Sequence, residues 1–98
     1  MTINKQQNGN ALTLALEGRL DTVTSPELEA ELKASMDGAD SLTLDFAKLD
    51  YISSAGLRVL LSAHKAMSAK GGMKVTNVNE IVREVFDVTG FADILTIE

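Results

Sequence analysis

The stretch Asp50-Tyr51-Ile52-Ser53-Ser54-Ala55-Gly56-Leu57-Arg58-Val59 joins an extended apolar segment to a helical one through two hydroxyls. A serine ahead of a helical run can accept hydrogen bonds from first-turn N–H groups that have no partner inside the helix. The same end carries the positive pole of the helix dipole and accommodates an anion, phosphate included. From these residues alone the two serines are equivalent, and the roles of cap and phosphate acceptor are both open.

Downstream of the serines, projection at about 100° per residue puts Gly56, Leu60, Ala63 and Met67 on one helical face. Arg58, Ser62, Lys65 and Ala69 share the opposite face, and Leu57 and Leu61 fall at the border, as core packing or as a partner-facing patch. Upstream, Leu42, Leu44 and Phe46 alternate with Thr43 and Asp45, so residues 41–46 read as a strand and residues 49–52 lead into the serines. Residues 11–16 alternate in the same way through Leu12, Leu14 and Leu16, and Gly18 breaks the pattern. Residues 3–6 form a short edge strand joined to them by the turn Gln7-Asn8-Gly9-Asn10. Thr24 or Ser25 can cap a helix that has Pro26 in its first turn, carries Leu28, Leu32 and Met36 on one stripe, and ends near Gly38. Gly71-Gly72 stops the helix that follows Ser54. Residues 73–78 give another strand, Asn79 caps a helix through Val88 with Ile81, Val82, Val85 and Phe86 as its buried stripe, Gly90 ends it, and residues 94–97 are a last strand.

Strands separated by helices predict an α/β fold: a mixed, mostly parallel sheet of about five strands with an antiparallel N-terminal edge, right-handed crossovers and about three helices. Sites in open sheets gather at the carboxyl ends of strands, here residues 18–24, 50–57 and 76–80. The serines sit on that rim.

Composition narrows the function. The 98 residues fit one domain, 1–98, and 45% hydrophobic content suffices for a core without staples. The absence of cysteine removes thiol chemistry and zinc–cysteine sites and fits a reducing, cytoplasmic setting. A net charge of −5, from 14 acidic and 9 basic residues, opposes nucleic acid and anionic lipid. The N-terminus lacks a signal-peptide layout, and no apolar run approaches the roughly 20 residues needed to span a bilayer. Direct membrane insertion is not expected.

Catalytic constellations are thin. The single histidine, His64, lies about 15 Å along the helix axis from Ser54, too far for a triad. Asp21, Asp45 and Asp50 are either solvated loop acids or a carboxylate cluster at the rim that binds a divalent cation or does acid–base work. There is no phosphate-binding glycine loop with a lysine and no dinucleotide fingerprint. No enzyme, cofactor or metal site is expected.

Taken in order, several short motifs resemble the STAS domain, in particular the single-domain anti-sigma factor antagonists of bacterial partner-switching systems. Glu17-Gly18-Arg19-Leu20-Asp21 resembles the family's Gly-x-Leu-Asp turn, and residues 42–46 its strand before the switch. Residues 50–61 resemble the switch itself. Gly71-Gly72, Asn77 and the segment from Val82 to Gly90 resemble its later glycine turn, strand end and Phe-x-x-x-Gly segment. Aligned on Gly56-Leu57, Ser54 falls at the family's phosphorylated serine, Ser53 replaces the usual aspartate and Ala55 the second hydroxyl. The resemblance implies an anti-sigma factor serine kinase that binds the unphosphorylated chain and is released when Ser54 is phosphorylated, and a serine phosphatase that resets the cycle. It implies partner contacts at Asp21, Thr22, Ser53, Gly56, Leu57, Arg58 and Leu61. Two other classes fit the same fold: a non-switching STAS accessory subunit of a lipid-transport or other membrane-associated complex, and a nucleotide site built from Asp21, Asp45 and Ser54.

Overall fold

Alternating apolar residues in three central strands, leucines in two of them and Met73 and Val75 in the third, each followed by a helix, set the architecture. The computed structural model describes all 98 residues. Its elements are β1 (Thr2–Asn8), β2 (Ala11–Leu20), α1 (Ser25–Ser35), β3 (Ser41–Ile52), α2 (Ser54–Ser68), β4 (Met73–Thr76), α3 (Glu80–Thr89) and β5 (Thr96–Ile97), with 3-10 turns at Met36–Gly38 and Phe91–Asp93. The α/β reading holds: five strands lie in the order β1-β2-β3-β4-β5, antiparallel for β1 and β2 and parallel thereafter.

This order never reverses. Three right-handed crossovers stepping the same way across a sheet place their helices on one face. Burial agrees: Leu12, Leu14, Leu16, Leu42, Leu44 and Phe46 are fully buried, while the intervening Thr13, Ala15, Thr43 and Asp45 are only half-buried. The molecule is therefore two layers, helices on one face and a polar, open sheet face on the other. Its 22 buried apolar residues form one cluster, with Phe46 and Phe86 meeting at a ring-centroid distance of 6.5 Å. No helix is long and apolar enough to cross a membrane.

Several boundaries differ from the sequence expectation. Gly18 does not end β2, because it takes φ +103° and the strand passes it by a register shift to pair Leu20 with Ile52. A second shift lies between Ala15 and Glu17, so β3 carries two more residues than the β2 segment opposite. These shifts change the phase of burial after Phe46, which is why alternation stops there although the strand runs unbroken from Ser41 to Ile52. β4 ends at Thr76, not residue 78, because Asn77 adopts φ +58°, a left-handed conformation that asparagine tolerates. α1 tightens into a 3-10 turn at Met36, and β5 is only two residues.

α3 is capped by Asn79, whose Oδ1 accepts the Val82 N–H at 2.8 Å, and ends at Gly90 with φ +82°, both as expected. Val82 and Phe86 are buried, but Ile81 is 60% exposed and does not belong to the stripe. After α2 it is Gly72, at φ +92°, that takes the left-handed turn, while Gly71 supplies a close backbone approach to Asp40. Lys70 reinforces that junction by donating to the carbonyls of Met36 at 2.7 Å and Ala39 at 3.1 Å.

Candidate functional site

The carboxyl rim of β2 and β3 is held together by backbone bonds that continue the parallel ladder. Beyond the Leu20–Ile52 pair, the Ser53 N–H donates to the Leu20 carbonyl at 2.9 Å, so the Asp21 turn and the start of α2 are fixed side by side. Ser53 is extended, with φ −101° and ψ 175°, and its Oγ accepts the Gly56 N–H at 3.4 Å. Its carbonyl accepts the Leu57 N–H at 2.9 Å. Ser53 is thus the N-cap. Ser54, the first helical residue, is exposed and its hydroxyl is free. The two serines, equivalent in their local residue pattern and distinguished only by the family resemblance, are separated by one step of the chain into a structural hydroxyl and an available one.

Gly56 explains how α2 comes so close to the strand ends. A Cβ there would lie 2.8 Å from Leu20 Cγ and 2.9 Å from Ile52 Cγ1, atoms near the branch points of buried side chains. Ser53→Ala is expected to lower stability by about 0.5–1 kcal/mol, since the cap bond is long, whereas Ser54→Ala leaves it almost unchanged. Urea unfolding of the two variants distinguishes them, and equal losses would refute the assignment of the cap.

The Asp21 turn is self-contained. Asp21 Oδ1 accepts the Val23 and Thr24 N–H groups, both at 3.0 Å, and the Thr24 hydroxyl lies 3.1 Å away. Thr24 Oγ1 accepts the Asp21 N–H at 2.9 Å and donates to the Arg19 carbonyl at 2.7 Å. Thr24 occupies the N-cap position of α1 but makes no side-chain cap bond, and Ser25 is buried with its hydroxyl donating to the Asp21 carbonyl. Neither caps α1 through its side chain; both bind the turn. Arg19 Nε stands 3.7 Å from Asp21 Oδ2, with the guanidinium 4.6 Å over the Tyr51 ring.

The Thr24 N–H, then the Thr24 hydroxyl, the Val23 N–H and Arg19, hold the Asp21 carboxyl below its ordinary value, against partial desolvation that acts the other way. A depressed folded-state pKa means the ionised form is the one the fold favours. Its stabilising contribution is present above the ordinary aspartate value of 3.8 and is lost as pH falls through the folded value. Asp21→Asn is accordingly expected to lower the urea midpoint at pH 7, with the gap to the parent closing in strong acid; a gap constant with pH would refute this linkage.

The remaining expected residues divide. Thr22 and Arg58 are exposed and Leu61 is half-buried, all available at the surface. Gly56 and Leu57 are not: both are buried, Leu57 to 5% exposure, so they shape the rim from beneath. At this helix angle Leu57 belongs to the core. Asp45 does not join Asp21: it pairs with Ala15, several residues before the Leu20–Ile52 pair that precedes Asp21, and its Oδ1 accepts the Ala47 N–H at 3.0 Å and Asn77 Nδ2 at 2.9 Å. No three His, Cys, Asp or Glu side chains come together as a metal-binding group. His64 is half-buried at the far end of α2, its Nδ1 enclosed without a hydrogen-bond partner. Sequence reasoning passed over Val23, 82% exposed beside Thr22. An apolar residue between a turn aspartate and a helix start was the available signal.

None of the cavities is lined by Asp21, Ser53 or Ser54. A sheet whose strand order never reverses offers no switch-point crevice. The rim is an open surface that suits a macromolecular partner better than a small substrate.

The family model for the STAS domain matches residues 2–98. The chain is 37% identical over 99 residues to BtrV of Bordetella bronchiseptica, which carries the name of anti-sigma factor antagonist; the match covers 99% of this chain and 85% of BtrV. Its fold is similar to that of an anti-sigma factor antagonist from Mycobacterium paratuberculosis, with TM-score 0.88 at 22% identity over 98% of this chain and 83% of that one. It is also similar to the antagonist SpoIIAA, solved unphosphorylated (TM-score 0.84, 18% identity, 99% and 88% covered) and, from Bacillus, phosphorylated (TM-score 0.76, 17% identity, 99% and 91% covered). With its five-stranded sheet and three helices on one face, the chain belongs to the STAS domain family.

Proposed function

We propose that the protein is an anti-sigma factor antagonist of a partner-switching pathway, switched by phosphorylation of Ser54. The observation that carries this is the division of labour at the start of α2: Ser53 holds the cap, leaving the Ser54 hydroxyl exposed and free. The similarity to named antagonists, one of them solved in both phosphorylation states, supports the same reading. Unphosphorylated, the rim formed by Asp21, Thr22, Ser53, Ser54, Arg58 and Leu61 binds an anti-sigma factor that is also a serine kinase. The kinase transfers the γ-phosphoryl group of ATP to Ser54 Oγ, releasing ADP and the hydroxyl proton.

The added group brings about −1.5 to −2 charges and three acceptor oxygens. The domain tolerates it, because it lies at a helix N-terminus with unpaired N–H groups and a favourable dipole. A partner packed over that end does not, since burying the charge without a counterpart on the partner costs several kcal/mol. The complex dissociates without a large conformational change, and a serine phosphatase hydrolyses the phosphoester to reset the chain. The catalytic residues of the cycle are the partners' own. Incubation with the cognate kinase and ATP, followed by phosphopeptide mapping, is expected to place the label on Ser54; label on Ser53 or elsewhere would overturn the assignment.

A further inference from the structure

The outward face of α2 differs in charge from both other helices. Helical spacing aligns Ser54, Arg58, Leu61 and Lys65 along one stripe. Ser54, Arg58 and Lys65 are exposed and Leu61 is half-buried. No aspartate or glutamate occurs anywhere in α2. α1 instead carries Glu27, Glu29 and Glu31 against Lys33, and α3 carries Glu80, Glu84 and Asp87 against Arg83. The five ion pairs of the molecule use Arg19, Lys33, Lys48, Lys74 and Arg83. Arg58 and Lys65 enter none of them. On a chain of net charge −5, two unneutralised cations flank a half-buried leucine on the helix that begins with the free serine.

We propose that this stripe is the docking surface for an acidic face of the protein partner, with Leu61 at its centre, and that phosphate on Ser54 quenches it through Arg58. The inference rests on the switch function above and specifies the chemistry of the partner's surface. An acidic partner is repelled by most of this chain and attracted at α2, which fixes its orientation as well as its rate of approach. Ser54 and Arg58 are four residues apart and therefore neighbours on the helix surface. Phosphoserine oxygens at position 54 take charge-assisted hydrogen bonds from the Arg58 guanidinium. One modification thus adds an anion to the interface and withdraws a cation from it.

Binding of the unphosphorylated chain to its kinase is the test, measured by calorimetry for the parent, Arg58→Ala, Lys65→Ala, the double variant, and Lys33→Ala on α1 as control. Arg58→Ala and Lys65→Ala are each expected to weaken binding by about fivefold, and Lys33→Ala to leave it unchanged. Raising salt from about 0.05 M to about 0.5 M is expected to weaken the parent by about tenfold and the double variant far less. The penalty caused by phosphorylation is expected to shrink in the Arg58→Ala background. Circular dichroism and thermal melts confirm that these exposed substitutions leave the fold intact. A double variant with parental affinity and salt dependence, still phosphorylated on Ser54 and still released, overturns the stripe and leaves the switch standing. A parent chain that the kinase neither binds nor phosphorylates overturns the switch and the stripe with it.

Discussion

Phosphorylation of Ser54 is expected to weaken binding to the anti-sigma kinase by on the order of 10² to 10³, since each 1.4 kcal/mol is about tenfold and burying a phosphate that Arg58 neutralises only in part costs several kcal/mol. Ser54→Asp carries a single charge and reproduces the direction with part of the size. Ser54→Ala binds and is never released. The stability of these variants moves the other way: an aspartate in the first turn of α2 interacts favourably with the dipole, by about 0.3–1 kcal/mol. Ser54→Asp is therefore expected to unfold at a slightly higher urea concentration than the parent while binding its partner less tightly. Calorimetric affinity and urea midpoints on the same preparations separate the two effects. Parental affinity in Ser54→Asp, or loss of affinity accompanied by loss of fold, would refute a switch acting at the surface. Recovery of a transporter ATPase in place of a kinase as the bound partner would move the chain to the accessory class.

The second large effect is structural. Gly71→Ala is expected to destabilise the protein by about 3 kcal/mol, at the upper end of the usual cost of overpacking. The Gly71 N–H donates to the Asp40 carbonyl at 2.6 Å, and an added Cβ would run into that same carbonyl oxygen. The obstacle is backbone, at the junction where the chain leaving α2 passes the start of β3, so no side-chain rotation relieves it. The junction also carries the Lys70 bonds to the end of α1, and displacing it disturbs both. Gly38→Ala is the control: a Cβ there meets nothing within 4 Å and φ is not positive, so the substitution is expected to be neutral or slightly stabilising. Chemical denaturation of the pair is decisive, because equal midpoints would show that the Gly71 contact relaxes at little cost.

Much of the fold was legible because its signals are local. Leucine alternation in β2 and β3, the Asn79 cap, the Gly90 stop and the placement of Gly56, Leu60, Ala63 and Met67 on one face each depend on a few neighbouring residues, and each is found. The errors fall where two segments meet. Gly18 reads as a strand end because nothing near it in sequence reveals the β3 residues that take up the register shift. Ile81 reads as buried because periodicity gives a face but not its width. Thr24 and Ser25 read as capping residues because their hydroxyls' alternative partners, the Arg19 and Asp21 carbonyls, become available only once the turn closes.

The candidate site divides the same way. Sequence by itself determined that two hydroxyls stand between a strand and a helix, that the chain is acidic and free of cysteine, and that its motifs follow the order of the STAS family. The local residue pattern could not rank Ser53 against Ser54, which only the family resemblance did, because a cap is defined by one residue's backbone dihedral angles and by which N–H its oxygen reaches. Tertiary structure decided that Ser53 is the extended residue whose Oγ meets the Gly56 N–H, locked in place by its own N–H on the Leu20 carbonyl of the neighbouring strand. It likewise decided that Leu57 is core and Leu61 half-buried, four residues apart on one helix. The sheet covers α2 from one side only, and the small angular difference between those two positions is enough to bury one and leave the other partly exposed.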